Sequence, residues 1–347
     1  MTAHTAQHVV IAGTGQMGLV VADALCARGI SVSMWGPRSE TVDRLAADRC
    51  MPDRLEGLTL DSDVVITTDP AEACADATVL LNAIPTQYIR GVWDQLMPVT
   101  PPGTPIISTS KGIENDTLLR PTEILVELAR QAHGVAPSSA VLSGPTIAAE
   151  LARRLPAALI AASDDSEFAE LVQDLFNVPW IRTYTLADPV GVELAGATKN
   201  VIALAVGMAD GLALGDNAKS MLLARGLAEI SRLGTSVGAR LETFFGIAGV
   251  GDLATTCFRP HGRNRTCGEA IGRGESLATF TSRVNIVVEG VATTRSVLQM
   301  ASEHGVDMPI TQAVGGILFD GRTPKEAIHA LMDRSLRRES LGGSRGE

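Results

Sequence analysis

Hydrophobic residues follow different patterns in the two halves of the chain. In the first half, short apolar and β-branched runs recur at the spacing of alternating strands and helices, which is typical of a doubly wound, mainly parallel sheet. The predicted strands are 8–12, 30–35, 64–67, 78–83, 105–108, 140–142 and, as a later candidate, 158–162. After Pro189 helical periods dominate, as over 220–233 and 291–303, and Thr323-Pro-Lys-Glu326 is a capping box that starts a further helix. We therefore predict an α/β domain over 1–188, an all-α domain over 189–336 and a disordered tail over 337–347.

The first strand ends in a glycine-rich loop, Gly13-Thr-Gly15-Gln-Met-Gly18, which leads into a helical pattern from Leu19 to Arg28. Gly13 permits a tight turn, Gly15 lets the backbone approach a pyrophosphate, and Gly18 lets the helix pack closely on its strand. The phosphates would lie at the positive N-terminus of that helix. This succession of strand, loop, helix and strand predicts a Rossmann dinucleotide-binding domain; a glycine turn without a ligand is the alternative.

The end of the second strand bears on the choice of cofactor. An NAD-selective site has an acidic residue about 20 residues after the glycines, where it binds the ribose 2′-hydroxyl. Here the strand ends in Trp35-Gly-Pro-Arg38, and the first acid is Glu40. Arg38 can instead pair with a 2′-phosphate, which favours NADP(H) and leaves NAD(H) as a second cofactor. The alternative is that Arg38 is a surface arginine in a loop.

Two lysines are candidates for chemistry. Lys199 lies in the almost wholly apolar stretch 190–214, and a lysine is rarely buried without a partner. Burial makes the pKa of a lysine tunable, so we expect either a proton-transfer residue or a lysine that reaches solvent from a helix end. Lys111 follows strand 105–108, at the carboxyl edge of the sheet where doubly wound folds bind ligands.

Asp252 and a basic cluster follow in the second half. Asp252 ends the glycine-dense run 246–251, so it can accept a proton from a substrate hydroxyl. The cluster contains Arg259, His261, Arg263 and Arg265 within seven residues. Arginine binds phosphate through paired, charge-assisted hydrogen bonds, so the cluster predicts a phosphate site. A solvated loop is the alternative, chiefly for Arg259 and Arg265.

Composition narrows the class of protein. A chain of 347 residues predicts two domains, and a net charge of −10 disfavours nucleic acid or an anionic membrane as a partner. The five cysteines have no zinc-like spacing, so we expect reduced thiols in the cytoplasm and no metal. The start of the chain does not read as a signal peptide, and stretch 190–214 carries too many polar groups for membrane insertion.

Over residues 9–334 the chain resembles the bacterial type of NAD(P)-dependent glycerol-3-phosphate dehydrogenase. The motifs that carry the resemblance are the glycine loop, Ser110-Lys-Gly-Ile-Glu114, Ser143-Gly-Pro145, Glu193-Leu-Ala-Gly-Ala-Thr-Lys-Asn200, Gly211-Leu-Ala-Leu-Gly-Asp-Asn217, Ala248-Gly-Val-Gly-Asp-Leu253, Arg263-Asn-Arg265 and Val288-Glu-Gly290. The resemblance implies reversible reduction of dihydroxyacetone phosphate to sn-glycerol 3-phosphate, which feeds glycerophospholipid synthesis, and it implies a homodimer.

The resemblance also assigns roles to residues. Lys199 resembles the catalytic general acid–base. The implied substrate-binding residues are Lys111, Gly144, Thr146, Asp252, Gly262, Arg263 and Asn264. The implied cofactor-binding residues are Gly13, Gly15, Gln16, Met17, Gly18, Arg38, Lys111, Ala148, Arg263, Val287 and Glu289. Two positions depart from the family: Gly262 stands where a serine is usual, and Met17 where a tryptophan is common.

Other functions stay open at this point. The departure at Gly262 leaves room for a specialised relative that acts on an analogue of the phosphorylated ketone. A reductase of the hydroxyacid or ketopantoate type shares the same plan and also uses a lysine. A sugar-nucleotide dehydrogenase would use Cys257 or Cys267 as a covalent nucleophile. A non-catalytic NADP(H)-binding protein is the least favoured alternative.

Overall fold

The computed structural model describes residues 7–284 and 287–336, which form two compact units. Unit 1 contains 7–110 and 121–189, and unit 2 contains 111–120 and the described residues from 190 onward. Segment 111–120, which we call the strap, therefore belongs to unit 2 although both of its flanks belong to unit 1. A single linear boundary at 188/189 does not describe this excursion. The tail predicted at 337–347 lies outside the described residues.

Unit 1 is built on an eight-stranded sheet in the order β3-β2-β1-β4-β5-β6-β7-β8. The strands are β1 His8–Ala12, β2 Ser31–Trp35, β3 Val65–Thr67, β4 Val79–Asn82, β5 Ile106–Ser108, β6 Ser139–Ser143, β7 Ala157–Ala162 and β8 Ile181–Leu186. In the described residues every neighbouring pair is parallel except β6 and β7. This confirms the predicted doubly wound, mainly parallel class. The sequence patterns did not predict β8.

Helices cover the sheet of unit 1. They are α1 Gln16–Ala27, α2 Ser39–Asp48, α3 Pro70–Cys74, α4 Ile89–Leu96, α5 Pro121–His133, α6 Ala148–Ala152 and α7 Ser166–Leu175. The continuous apolar run of β1 has no exposed residue from Val9 to Ala12, as expected for a parallel strand that is covered on both faces. Because the glycine loop follows this strand directly, the fold holds the loop at the carboxyl end of a central strand.

Unit 2 is helical, as predicted. Its helices are α8 Pro189–Gly211, α9 Gly215–Ser236, α10 Asp252–Phe258, α11 Arg263–Gly272, α12 Leu277–Arg283, α13 Glu289–Glu303, α14 Pro309–Phe319 and α15 Pro324–Met332. The capping box at Thr323 and Glu326 is formed at the start of α15. By length and composition α8 could cross a membrane, but 94% of its most apolar window is buried inside the protein. Apolar residues on every face of α8 therefore make it the core helix of this unit.

Two glycine pairs bring α8 and α11 into direct backbone contact. A Cβ atom on Gly268 of α11 would lie 2.1 Å from the carbonyl oxygen of Leu204, and one on Gly207 of α8 would lie 2.1 Å from that of Arg265. Gly211 and Gly272 repeat the arrangement one turn further along, where a Cβ atom would lie 2.3 and 2.4 Å, respectively, from a carbonyl oxygen of the other helix. No side chain fits between the two helices at these points, so the start of α11 is held at a fixed distance from the middle of α8.

Candidate active site

The glycine loop of unit 1 has the geometry of a phosphate cradle. Gly13 has φ +123°, and a Cβ there would lie 3.0 Å from the carbonyl oxygen of Ala83; a Cβ on Gly18 would lie 2.1 Å from that of Gly13. At Gly15, by contrast, no described atom lies within 4 Å of a Cβ position, and this N-cap glycine has no side chain to cap the first turn of α1. The first N–H groups of α1 therefore have no partner from the side chain of the N-cap residue, and such groups can bind an anion. These residues fit the pyrophosphate of a dinucleotide.

The other residues of unit 1 that the resemblance assigns to cofactor or substrate lie in this loop, after β2 or after β6. Arg38 is exposed and directly precedes α2, after the end of β2. Met17 packs against the hydrophobic core of unit 1, and the side-chain amide of Gln16 donates to the carbonyl oxygen of Arg54. Beyond β6, Gly144 has φ +131°, and Ala148 begins α6. Thr146 lies between them and is partly buried.

In unit 2, a buried carboxylate joins the two candidate lysines. Lys199 on α8 is 6% exposed, and its Nζ lies 2.5 Å from Oδ1 of Asp252 and 2.7 Å from Oγ1 of Thr256. Asp252, the first residue of α10, is 1% exposed, and its other oxygen, Oδ2, lies 2.6 Å from Nζ of Lys111. Both oxygens of Asp252 thus accept from lysines of the protein. The resemblance assigns Asp252 to substrate; in the structure its carboxylate lies between the two ammonium groups.

Sequence reasoning missed Thr256 in this cluster. It lies four residues after Asp252, on the same face of α10, and its hydroxyl donates to the Asp252 carbonyl at 2.7 Å while it accepts from Lys199. The i, i+4 spacing from Asp252 is the signal that could have revealed it.

Burial and charge tune the ionisable groups of the cluster. Burial lowers the pKa of Lys199 to about 8; the attraction of Asp252 opposes this shift and the repulsion of Lys111 adds to it. Glu289, the first residue of α13, is partly buried, and desolvation raises its pKa to about 7 against the attraction of Arg263 and the two lysines. Lys199 can therefore gain and lose a proton near neutral pH.

The buried cysteines have the opposite character. Burial raises the pKa of both Cys257 and Cys267 to about 12, so each is a protonated thiol at neutral pH. Since the thiolate is the nucleophile, this geometry disfavours covalent catalysis by cysteine.

An amide chain joins the start of α11 to α8 and α13. Nδ2 of Asn264 donates to Oδ1 of Asn200 at 2.8 Å, and the backbone N–H of Gly290 donates to Oδ1 of Asn264 at 2.9 Å. Nδ2 of Asn200 in turn lies 3.4 Å from the carbonyl oxygen of Lys111. Asn264, which the resemblance assigns to substrate, thus also orders the residues around Lys199.

The basic cluster divides into two kinds of arginine. Arg263 is exposed, and its Nη1 donates to the carbonyl oxygen of Val287 at 3.2 Å. Arg265 instead forms a 2.6 Å ion pair with Asp210 of α8, both side chains being 15% exposed. Arg263 therefore retains guanidinium surface for an anion, whereas Arg265 ties α11 to α8.

Gly262 occupies the N-cap position of α11. Its φ is −70° and ψ is 131°, which any residue can adopt. A Cβ atom would find its nearest neighbour, the Thr256 carbonyl oxygen, at an ordinary 3.6 Å. The serine usual in the family would therefore fit here, so glycine is not required by the local packing.

Comparison with known proteins matches the two halves of the chain to the two domains of one enzyme family. Residues 8–169 match the family model for the N-terminus of NAD-dependent glycerol-3-phosphate dehydrogenase, and 188–329 match the model for its C-terminus. A glycerol-3-phosphate dehydrogenase [NAD(P)+] of Salinibacter ruber is 41% identical over 332 residues, which cover 95% of this chain and 96% of that protein.

Solved structures separate the family from its more distant relatives. The crystal structure of glycerol-3-phosphate dehydrogenase from Coxiella burnetii superposes with a TM-score of 0.88 at 31% identity and covers 94% of this chain and 99% of that one. A ketopantoate reductase from Ralstonia eutropha reaches a TM-score of 0.57 at 14% identity over 93% of this chain and 100% of that one, which shows a shared fold alone. This chain belongs to the NAD-dependent glycerol-3-phosphate dehydrogenase family.

Proposed function

We propose that Lys199 is the general acid–base of this enzyme, an NAD(P)-dependent glycerol-3-phosphate dehydrogenase that interconverts dihydroxyacetone phosphate and sn-glycerol 3-phosphate. The observation that carries the proposal is the buried Lys199 ammonium, which has a pKa of about 8 and lies 2.5 Å from Asp252. A nicotinamide cofactor, when bound, supplies or accepts the hydride at C2 of the substrate. The protein must then supply and remove one proton at the C2 oxygen.

Lys199 serves both directions because its pKa is near the working pH. In reduction, the protonated amine donates its proton to the oxygen that becomes the hydroxyl. In oxidation, the neutral amine accepts that proton. The Lys111 ammonium stabilises negative charge on the same oxygen, and Asp252 offsets the repulsion between the two lysines.

The phosphate of the substrate is proposed to bind at the start of α11. The exposed Arg263 guanidinium and the N-terminus of a ten-residue helix both favour an anion there. Asn264 has one N–H committed to Asn200 and a second that can point to phosphate. Because this site holds the part of the substrate that does not react, its binding energy can orient C2.

NADP(H) is the cofactor that we expect to be preferred. The glycine loop fits a pyrophosphate, and exposed Arg38 stands where NAD-selective sites have an acid. Arg38→Ala should raise the KM for NADPH at least tenfold and leave that for NADH nearly unchanged, because a charge-assisted contact contributes about 1.5–3 kcal/mol and about 1.4 kcal/mol is a factor of ten. The two cofactors are compared by the fall in nicotinamide absorbance as each is oxidised. Equal effects on both would remove Arg38 from the 2′-phosphate site.

A cytoplasmic homodimer completes the proposal. All five cysteines lie in the described part of the chain and are free thiols, which suits a reducing compartment. The dimer rests on the family resemblance and is tested by sedimentation equilibrium.

The role of Lys199 is tested by Lys199→Met. This variant should lose several orders of magnitude in kcat with dihydroxyacetone phosphate, while the Kd for NADPH stays nearly unchanged. Lys325→Met, at an exposed position on α15, is the matched control and should keep full activity. Turnover by Lys199→Met within tenfold of the parent would end the assignment. Assaying ketopantoate in parallel distinguishes the sister reductase.

A further inference from the structure

The strap crosses unit 2 as a fixed piece rather than as a loose loop. Ile113 is completely buried against Leu194 and Ala197 of α8 and residues of α9 and α13. The hydroxyl of Ser296 on α13 lies 3.0 Å from the Ile113 carbonyl oxygen and 2.6 Å from Oδ1 of Asn115. The strap therefore has a hydrophobic anchor and a polar anchor between its ends.

Both ends of the strap attach to the same helix. At its first residue, the Lys111 carbonyl oxygen accepts from Asn200 of α8 at 3.4 Å. At its last residue, Nη1 of Arg120 lies 2.6 Å from Oε2 of Glu193, whose side chain is fully buried. Glu193 and Asn200 are separated by seven residues, which is two turns and about 10 Å of helix, so they lie on one face of α8. Lys199 immediately precedes Asn200 in the chain.

We propose that the Arg120–Glu193 ion pair is a positioning device for Lys111. By fixing the far end of the strap on α8, the pair sets where the Lys111 ammonium lies relative to Lys199 and Asp252. Arg120 lies at the opposite end of the strap from Lys111. The pair acts through the strap, and the proposal rests on the function assigned to Lys199.

The backbone angles of two strap residues indicate that contacts with the rest of unit 2 determine the path of the strap. Asp116 and Leu118 adopt φ +68° and +59°, which non-glycine residues rarely do. Such conformations persist where surrounding contacts determine the backbone, and they cluster at functional sites. The contacts of Ile113, Asn115 and Arg120, on either side of the two residues, hold this path, and Leu118 itself packs against the same hydrophobic cluster as Ile113.

The pKa of Lys199 is a readout that would not change if the Arg120–Glu193 ion pair had a purely structural role. The groups that face Lys199 are Asp252 and Cys257 from α10, Lys111 from the strap and Glu289 from α13. The charge of Lys111 lowers the pKa of Lys199, and Asp252 raises it. If Lys111 moves away, repulsion is lost and Asp252 is left to Lys199, so both changes raise the pKa of Lys199.

The test replaces both partners at once, Arg120→Met with Glu193→Leu, so that no buried charge is left unpaired. In the full-length enzyme we expect kcat for glycerol 3-phosphate oxidation to fall tenfold to a hundredfold, roughly the cost of a 1 Å misplacement. The pH at half-maximal kcat should shift upward, while the Kd for NADPH stays unchanged. Arg120→Lys should recover part of kcat and most of the pH profile.

A matched control separates positioning from stability. Glu229→Gln alters another buried carboxylate of unit 2, which accepts from the backbone of Ile310 and Thr311 at the start of α14. It should lower the melting temperature without moving the pH profile. If the double variant does not fold, Ser296→Ala removes the polar anchor and should shift the profile in the same direction by less.

A parental kcat and pH profile in the folded double variant would overturn the proposal. If the double variant does not fold, a parental kcat and pH profile in Ser296→Ala would likewise overturn the proposal. Failure of the assigned function looks different: the parent enzyme would not turn over dihydroxyacetone phosphate, or Lys199→Met would remain active.

Discussion

The contact between α8 and α11 makes one substitution unusually informative. A Cβ on Gly268 would lie 2.1 Å from the carbonyl oxygen of Leu204, and ordinary contact begins near 3.4 Å. The obstacle is helix backbone, which cannot rotate aside as a side chain can. Gly268→Ala therefore requires α11 to move away from α8 by about 1.3 Å, the difference between the two distances.

Two opposing terms set the size of the effect. Alanine is favoured over glycine inside a helix by about 1 kcal/mol, whereas overpacking a close contact costs roughly 1–3 kcal/mol. Because the backbone has no alternative rotamer, we take the upper end and expect a net loss of about 2 kcal/mol. The shift should also lengthen the 2.8 Å bond from Asn264 to Asn200 beyond hydrogen-bonding range, so kcat should fall as well.

Gly91→Ala is the matched control. Gly91 lies on α4 of unit 1, is exposed, and has no described atom within 4 Å of its Cβ position. Here only the helix-propensity term operates, so the variant should gain up to about 1 kcal/mol. Calorimetry of both variants at one scan rate gives the direction in which each substitution changes stability. NADPH oxidation rates give the accompanying change in kcat. A melting temperature of Gly268→Ala at or above that of the parent would refute the packing argument.

Three further predictions concern the chemistry. Reduction of dihydroxyacetone phosphate should fall as the pH rises through about 8, and oxidation of glycerol 3-phosphate should rise, because Lys199, as the proposed general acid–base, is protonated for the first reaction and neutral for the second. Stopped-flow rates that are flat between pH 6.5 and 9.5 would contradict this. Asp252→Asn should shift both curves to lower pH by one unit or more, because opposite charges attract by about 4 kcal/mol even at about 4 Å when the effective dielectric constant is 20, and one pKa unit is about 1.4 kcal/mol. An upward shift would mean that Asp252 does not stabilise the Lys199 ammonium. Gly262→Ser should be tolerated and should lower the KM for dihydroxyacetone phosphate by a few-fold, in keeping with one added hydrogen bond of about 1 kcal/mol; an increased KM would indicate a substrate whose far end differs from that of the family.

The sequence predicts local features of this molecule well. Strand β1 with its glycine loop, the buried helix that carries Lys199 and the capping box at Thr323 each depend on residues within one element. Strand β8 was missed, although Ile181 and Thr183 are buried and alternate with exposed neighbours in the pattern of a half-covered edge strand.

Contacts between distant residues could not be predicted in the same way. Asp252 reaches Lys199 and Lys111 across separations of 53 and 141 residues, and nothing in the pattern around Asp252 marks it as a partner for both. Glu193 could be recognised as a polar residue in an apolar helix. Its partner, Arg120, lies 73 residues earlier in the chain, in a segment with no helical or strand period. The sequence shows which residues are charged, but the tertiary fold decides which of them pair.

The strap has a consequence for how this protein can be divided. A polypeptide beginning at Val190 would contain Lys199 and Asp252 but not Lys111, and it would leave the space filled by Ile113 open to water. A polypeptide ending at Pro189 would carry the strap without the helices that shape it. No single cut therefore yields two self-sufficient modules. Recombination between relatives can exchange the nucleotide-binding unit only if the ten residues of the strap are inherited together with unit 2.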